Sequence, residues 1–504
     1  MTSIGSSLRL HAMLRPDAVA LIAGERQVTY RELNRLAAGC AARLRALKLG
    51  PGDRVALLLT NSIEFVVAYQ GVLQAGAIPV PLNPLLAQAE ILTRLANCEP
   101  GALFVRGASY VAQFAAGDKA PRFHVFDLDT DDIAVVSTQA EPAPLPVCAP
   151  TDTALILYSS GSTGQPKGVE LSHFNLLWNA QAFAVDLLRL TPDDRGYGVL
   201  PFSHVFGHTC LYTTFLYVGA SISLATGRFD PVQTLKDIAR DRVTIFMGVP
   251  TMYWTLAKTD IPEGLDLSRW RACVSGGQAL PEQVHHDFEQ KFSVPISEGY
   301  GMTEASPSVC GVRLFGAPRK FGSAGQPYFG VRVRIVDDEG RDQPFGERGE
   351  ILISSPGLAK GYFRRPDLTG DAFRDGWLHS GDIGFLEDDG SLFVVDRKKE
   401  MIISGGYNIY PREIEEIAHR MPGVLEVAAI GRPDDRLGET IVAYVVPETG
   451  ATIDPEYLLN EWSTSLARYK VPREVRVVEG LPRNATGKID RMKLRSMTTQ
   501  SGKN

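Results

Sequence analysis

The stretch Tyr158-Ser159-Ser160-Gly161-Ser162-Thr163-Gly164-Gln165-Pro166-Lys167-Gly168 decides how the rest of the chain is read. Ahead of it, the apolar run Ala154–Leu157 predicts a buried strand. After it, Ser172 is placed to cap a helix carrying Leu176, Leu177 and Trp178. The stretch is therefore expected to be a loop between a strand and a helix. Its glycines let the backbone approach a ligand closely, and its hydroxyls and unpaired N–H groups donate hydrogen bonds. Lys167 adds positive charge. Such a loop suits phosphate oxygens. It is not a P-loop, because no Gly-Lys-Ser/Thr opens the helix.

Composition narrows the class. At 504 residues the chain has room for two or more domains. Hydrophobic content of 44% with 22% charged residues is ordinary for a soluble globular protein. The net charge, 52 − 58 = −6, provides no global basic field, so no nucleic-acid partner is expected. Six scattered cysteines without a Cys-x-x-Cys pair predict neither disulfides nor a zinc site, and point to the cytoplasm. His285-His286-Asp287 is expected on a solvated helix face, not around a metal. The N-terminus lacks the pattern of a signal peptide. The apolar segment Val55–Leu73 is broken by Asn61, Ser62 and Glu64, so no transmembrane segment is expected.

Residues 1 to about 150 alternate helical and strand patterns: Tyr30–Leu47 and Ile63–Gln74 as helices, Arg54–Leu59 and Ile78–Leu82 as strands. Glu141–Pro150 is a proline-rich connector. From 195 to 305 the alternation resumes, with strands at Gly198–Leu200, Ser221–Leu224, Val243–Met247 and Ala272–Val274, and helices at Pro231–Arg240 and Pro281–Phe292. This predicts layered α/β sheets with a shared site at strand carboxyl ends. Short strands near Val331–Val336 and Ile351–Ser354, and a hairpin turn at Asp388-Asp389-Gly390, predict a small β subdomain. A final α+β unit begins near 400.

The order Tyr-Ser-Ser-Gly-Ser-Thr-Gly-Gln-Pro-Lys-Gly closely resembles the phosphate loop of the adenylate-forming enzymes, with Ser159 and Ser162 where threonine is usual. Further motifs carry the resemblance along essentially the whole chain: Leu200-Pro201-Phe202-Ser203-His204-Val205-Phe206-Gly207, Ser297-Glu298-Gly299-Tyr300-Gly301-Met302-Thr303-Glu304, Ser380-Gly381-Asp382, Asp396-Arg397-Lys398-Lys399, Ser404-Gly405-Gly406-Tyr407 and Asn484-Ala485-Thr486-Gly487-Lys488. The resemblance implies a site for ATP built from Ser159, Ser160, Gly161, Ser162, Thr163, Gly164, Lys167, Gly277, Tyr300, Asp382 and Arg397. Asp382 and Arg397 would hold the ribose. Thr303 would contact the phosphate, Glu304 would serve a Mg²⁺ ion, His204 would line the path of the carboxylate, and Lys488 would bridge carboxylate and phosphate. The hinge falls at Lys399, dividing the chain into residues 1–398 and a mobile 399–504. Gly405 and Gly406 would line a pantetheine tunnel for coenzyme A.

The acyl pocket implied by position comprises Phe206, His208, Val249, Gly276, Gly301 and Met302. The lining offers no permanent cation for a second carboxylate. No aspartate stands in the His204 motif to hold an α-ammonium. These features favour a monocarboxylate, fatty before aryl, over an amino acid. Sixteen residues follow Lys488, so no fused carrier domain is expected and coenzyme A is the expected acceptor over a separate carrier protein. The expected partners are the small-molecule acid, ATP and CoA, with a homodimer also expected.

Overall fold

The computed structural model describes residues 3–107, 123–159, 167–225, 227–315, 319–434, 436–483 and 488–500. Residues 160–166 and 484–487 lie outside this set, so the expectations for Ser160, Gly161, Ser162, Thr163 and Gly164 have no structural counterpart here.

The core of the larger part is a nine-stranded sheet. Six neighbouring strands run parallel in the order Ile296–Gly301, Ala272–Ser275, Ile245–Gly248, Arg195–Gly198, Ser221–Leu224 and Val19–Ala23. Antiparallel strands flank both edges. A second, four-stranded parallel sheet has the order Ile78–Pro81, Arg54–Leu58, Ala102–Val105, His124–Asp127. The helix Ile63–Ala75 explains the long apolar segment: every residue of it except Glu64 is buried. Ser62 caps it, and Gly76 ends it at φ +87°. At Gly71 the helix crosses Tyr30–Ala46 so closely that an added Cβ would stand 2.6 Å from Cys40.

The strand Thr153–Ser159 is not followed directly by a helix. The next described element is the strand Lys167–Ser172, which pairs with it antiparallel, and Gly361–Tyr362 completes this small sheet. The short alternation Val169-Glu170-Leu171 buries Val169 and Leu171 and turns Glu170 outward, which is a strand pattern. The helix then starts as expected: Ser172 and Asn175 bond each other's backbone in a capping box. The strand expected at Gly198–Leu200 lies earlier, at Arg195–Gly198.

The β subdomain comprises Arg332–Val336, Gly349–Ser354, Phe373–Arg374, Trp377–Leu386 and Leu392–Arg397, the last two joined at the predicted hairpin. Residues from 402 onward form a separate five-stranded sheet with its own core around Ile402, Ile414, Ala429, Val445 and Trp462. His285 is not solvated. It is buried and bonds Glu289 at 2.8 Å, while His286 faces outward beside Glu282. Among the described residues no helix is long and apolar enough to cross a membrane, and no cluster of three metal-ligating side chains occurs.

Candidate active site

Four of the sequence motifs begin at the carboxyl ends of four adjacent parallel strands, ending at Gly198, Gly248, Ser275 and Gly301. Parallel strand order alone therefore brings the His204 loop, Val249, the Gly276-Gly277 turn and the Thr303-Glu304 turn to one rim.

The His204 loop is pinned from the second sheet. The Asn61 amide donates to the carbonyls of Gly198 (2.9 Å) and Leu200 (2.7 Å), and its oxygen accepts the Phe202 N–H at 2.8 Å. Asn61 was read from sequence only as a break in an apolar run; its polarity there was the signal. His204 Nδ1 accepts the Phe206 N–H at 3.3 Å, which assigns the proton to Nε2. Burial and the nearby Lys488 charge push the imidazole down to about 4, so His204 is a neutral donor at physiological pH.

Asp382 is 6% exposed. It accepts the Tyr300 hydroxyl on Oδ2 at 2.7 Å, and Nε of Arg397 lies 3.3 Å from Oδ1. The Asp382↔Arg397 pairing follows from strand register. Burial raises the Asp382 carboxyl, opposed by Arg397, the Tyr300 hydrogen bond and Lys488. Lys488 reaches the same place from the small unit: a Cβ on Gly277 would lie 3.7 Å from its Nζ. Burial and Arg397 push the ammonium down to about 8, against Asp382 and Glu400. Residues far apart in sequence thus converge: His204, Gly277, Tyr300, Asp382, Arg397 and Lys488.

Glu304 is also 6% exposed and sits in the turn Thr303–Ala305. Its Oε1 accepts the Tyr362 hydroxyl at 2.9 Å. The Tyr362 ring in turn lies 5.5 Å from Lys167 Nζ. Tyr362 was not singled out from sequence, since nothing there ties Gly361–Tyr362 to the strand Lys167–Ser172. Among the described residues no second protein group bonds the Glu304 carboxylate. A lone, buried, hard oxygen donor fits a magnesium ion that keeps water and phosphate oxygens as its other ligands.

For the acyl side, Phe206 packs on Gly276, where an added Cβ would stand 3.3 Å from the ring. Gly301 is equally constrained, because a Cβ there would fall 2.0 Å from the Pro307 carbonyl. Val249 and Met302 lie beside the same core. His208 does not belong with them. Residues 206–213 form a wide helix that places Phe206 and Cys210 on one face and His208 and Tyr212 on the opposite one. The His208 ring packs on Tyr69 (4.8 Å) and Tyr212 (5.3 Å) in the interior, and burial pushes it down to about 3. Cys210 instead meets Ser308, 3.7 Å from Sγ to Oγ. Lys399 is exposed in the turn between the strands Leu392–Arg397 and Ile402–Ser404. Gly405 and Gly406, at φ +59° and +82°, form the exposed tip of the hairpin Ile402–Ile409. Among the described residues only Leu437 lies within 4 Å of an added Cβ at 405. In this arrangement Lys488, and not Gly405, is beside Gly277 and the Asp382–Arg397 pair.

Fold and site together define a nucleotide-dependent carboxylate-activating enzyme. The chain matches the AMP-binding enzyme family over residues 8–363 and the AMP-binding enzyme C-terminal domain over 413–488, and it belongs to that family. It is 40% identical to a feruloyl-CoA synthase of Amycolatopsis sp over 490 residues, covering 96% of this chain and 97% of that one. It is 34% identical to a long-chain-fatty-acid–CoA ligase of Bacillus subtilis, covering 96% and 93%. ATP-bound MatB from Rhodopseudomonas palustris superposes with TM-score 0.91 at 32% identity, covering 98% of this chain and 99% of that one; apo MatB superposes at 0.79. The chain is an AMP-forming acid–thiol ligase that uses ATP and coenzyme A.

Proposed function

We propose that the enzyme activates an apolar monocarboxylate, an aryl-bearing acid in preference to a fatty one, and passes it to coenzyme A. The observation that carries the chemistry is the convergence of Lys488, His204, Asp382 and Arg397 on one rim. The acid's carboxylate oxygen attacks the α-phosphorus of ATP, and pyrophosphate leaves. Lys488 offsets charge on the carboxylate and phosphate as they react. His204 Nε2–H donates to the acid's oxygen and orients it. The Asp382 carboxylate accepts the ribose hydroxyls beside Arg397, and Thr303 donates to the phosphate. Glu304 would hold Mg²⁺, which would neutralise phosphate charge; Tyr362 orients that carboxylate. The thiol of coenzyme A then attacks the acyl carbonyl, and AMP leaves. The working division is residues 1–398 and 399–504, turning about Lys399.

The substrate class rests on the pocket face formed by Phe206, Val249, Gly276 and Met302, with the neutral Cys210–Ser308 pair. This face has no cation for a second carboxylate. The partly buried Phe206 ring offers a flat aromatic surface to a planar aryl group, and the feruloyl-CoA synthase is the more similar of the two relatives. The fatty reading keeps its place through the Bacillus ligase, which matches a similar share of the chain. Pyrophosphate release with ferulate, cinnamate, benzoate, octanoate, palmitate and malonate, followed by thioester detection with CoA, separates them. Highest kcat/KM with the aryl acids is expected; preference for malonate overturns the reading.

A further inference from the structure

The first helix of the small unit, Pro411–Ala418, follows the hairpin Ile402–Ile409, and no side chain of its N-cap residue, Tyr410, caps it. One of its first amides is bonded from across the hinge turn instead. Asp396 Oδ2 accepts the Arg412 N–H at 3.1 Å, while Oδ1 accepts the Arg397 N–H at 2.7 Å. Asp396 lies on the strand Leu392–Arg397, before Lys399; Arg412 lies after it. The Arg412 guanidinium also reaches back to the Val394 carbonyl. One residue on, Glu413 is shared between Arg348 of the β subdomain and Lys470 of its own unit, both at 2.6 Å. The Arg348 guanidinium lies 5.2 Å from the centre of the Tyr410 ring.

We propose that Asp396 and Arg348 are positioning residues that together clamp the start of the helix Pro411–Ala418, holding the small unit where Lys488 meets the reacting groups. The proposal rests on the reading that this unit turns about Lys399. The Asp396–Arg412, Val394–Arg412 and Arg348–Glu413 contacts each have their partners on opposite sides of that pivot, and a hydrogen bond is lost once its atoms separate much beyond 3.5 Å. The clamp therefore exists in this arrangement and breaks in any substantially rotated one. The two parts differ in weight. Asp396 supplies a carboxylate to one helix N-terminal amide, where anions are favoured. The Arg348–Glu413 pair is partly solvated, with Arg348 42% exposed, so it contributes less.

The test uses the full chain with Asp396→Ala, Arg348→Ala and the double variant, none of which contacts substrate. Single-turnover pyrophosphate release from ATP and the preferred acid reads adenylation. Thioester formation from supplied acyl-adenylate and CoA reads the second half-reaction. Adenylation should fall about 3- to 30-fold in Asp396→Ala, in line with loss of a helix cap, and by less in Arg348→Ala, with thioester formation unchanged or faster. Equal losses in both half-reactions, or no loss in either, overturn the proposal. A second readout needs no catalysis. Spin labels on cysteines placed at the exposed Glu263 and Ser463, with Cys148→Ser, report the distance between the units. The variants should show a second distance population, and an unchanged distribution overturns the clamp. A wild type inactive with every acid would remove the functional reading while the distance measurement still decides the clamp.

Discussion

At the scale of single residues, Lys488 is caught between stability and use. Its folded value of about 8 lies below the ordinary 10.5. Between these values the unfolded chain binds the extra proton, so raising the pH across that window stabilises the fold. The role proposed for Lys488 in adenylation needs the opposite state, the charged ammonium. The kcat/KM for ATP, which reports the free enzyme, should therefore fall above about pH 8, and Lys488→Arg, always charged, should lose that fall. A wild-type profile flat to about pH 9.5 would exclude Lys488 as the titrating group. Tyr362 offers a second test. Tyr362→Phe removes the hydroxyl that orients Glu304. Activity at limiting Mg²⁺ should drop several-fold, on the order of 1 kcal/mol for one hydrogen bond, and recover at high Mg²⁺. Loss that magnesium does not restore would separate Tyr362 from the metal.

Elements set the positions that these residues occupy. The strands ending at Gly198, Gly248, Ser275 and Gly301 are neighbours in one parallel sheet. Their order makes a rim of motifs spread over a hundred residues of sequence. Glycine is required where that rim is tightest. Gly301→Ala would drive a methyl into the Pro307 carbonyl. Backbone there cannot give way as a side chain can, so the variant should be destabilised by thermal melting as well as inactive. At Gly276 the neighbour is the Phe206 ring, which can move. Gly276→Val should keep the fold yet narrow the acyl side. Expected is a loss of roughly tenfold or more in kcat/KM for aryl acids, the scale of a methylene-sized misfit, with short aliphatic acids much less affected. An equal loss for all acids would place Gly276 outside the acyl pocket.

The whole molecule matters because Lys488 and Gly405 belong to one small unit, packed on both faces of one sheet. Only Lys488 stands at the site here. The hairpin tip with Gly405 is exposed, and among the described residues an added Cβ there meets only Leu437, at an ordinary contact distance of 3.5 Å. If the unit turns about Lys399, the two residues serve different half-reactions. Lys488→Ala should abolish acyl-adenylate formation but still convert supplied acyl-adenylate and CoA. Gly405→Leu should do the reverse. Gly405→Ala controls for the positive φ, which any side chain strains. Single-turnover rates check the split, and equal damage to both steps by both variants would rule out alternation.

Much of this was legible in the sequence because it is local. The turn Asp388-Asp389-Gly390, the cap at Ser172 and the helix Pro231–Arg240 depend on residues within a few positions of each other. The motif residues could be named because short strings resemble those of the adenylate-forming enzymes, and a short string is legible without the fold. Three things were decided only by the tertiary structure. The strand Lys167–Ser172 exists because it pairs with Thr153–Ser159 and Gly361–Tyr362, and pairing partners are not encoded in the strand itself. His208 left the acyl face because the wide helix at 206–213 turns alternate residues inward, an angle its residue types do not specify. Asn61, Tyr362 and Asp396 acquire their roles from partners distant in sequence, at Gly198, Glu304 and Arg412. A hydrogen bond at that separation depends on where the folded chain returns, which no local string of residues records.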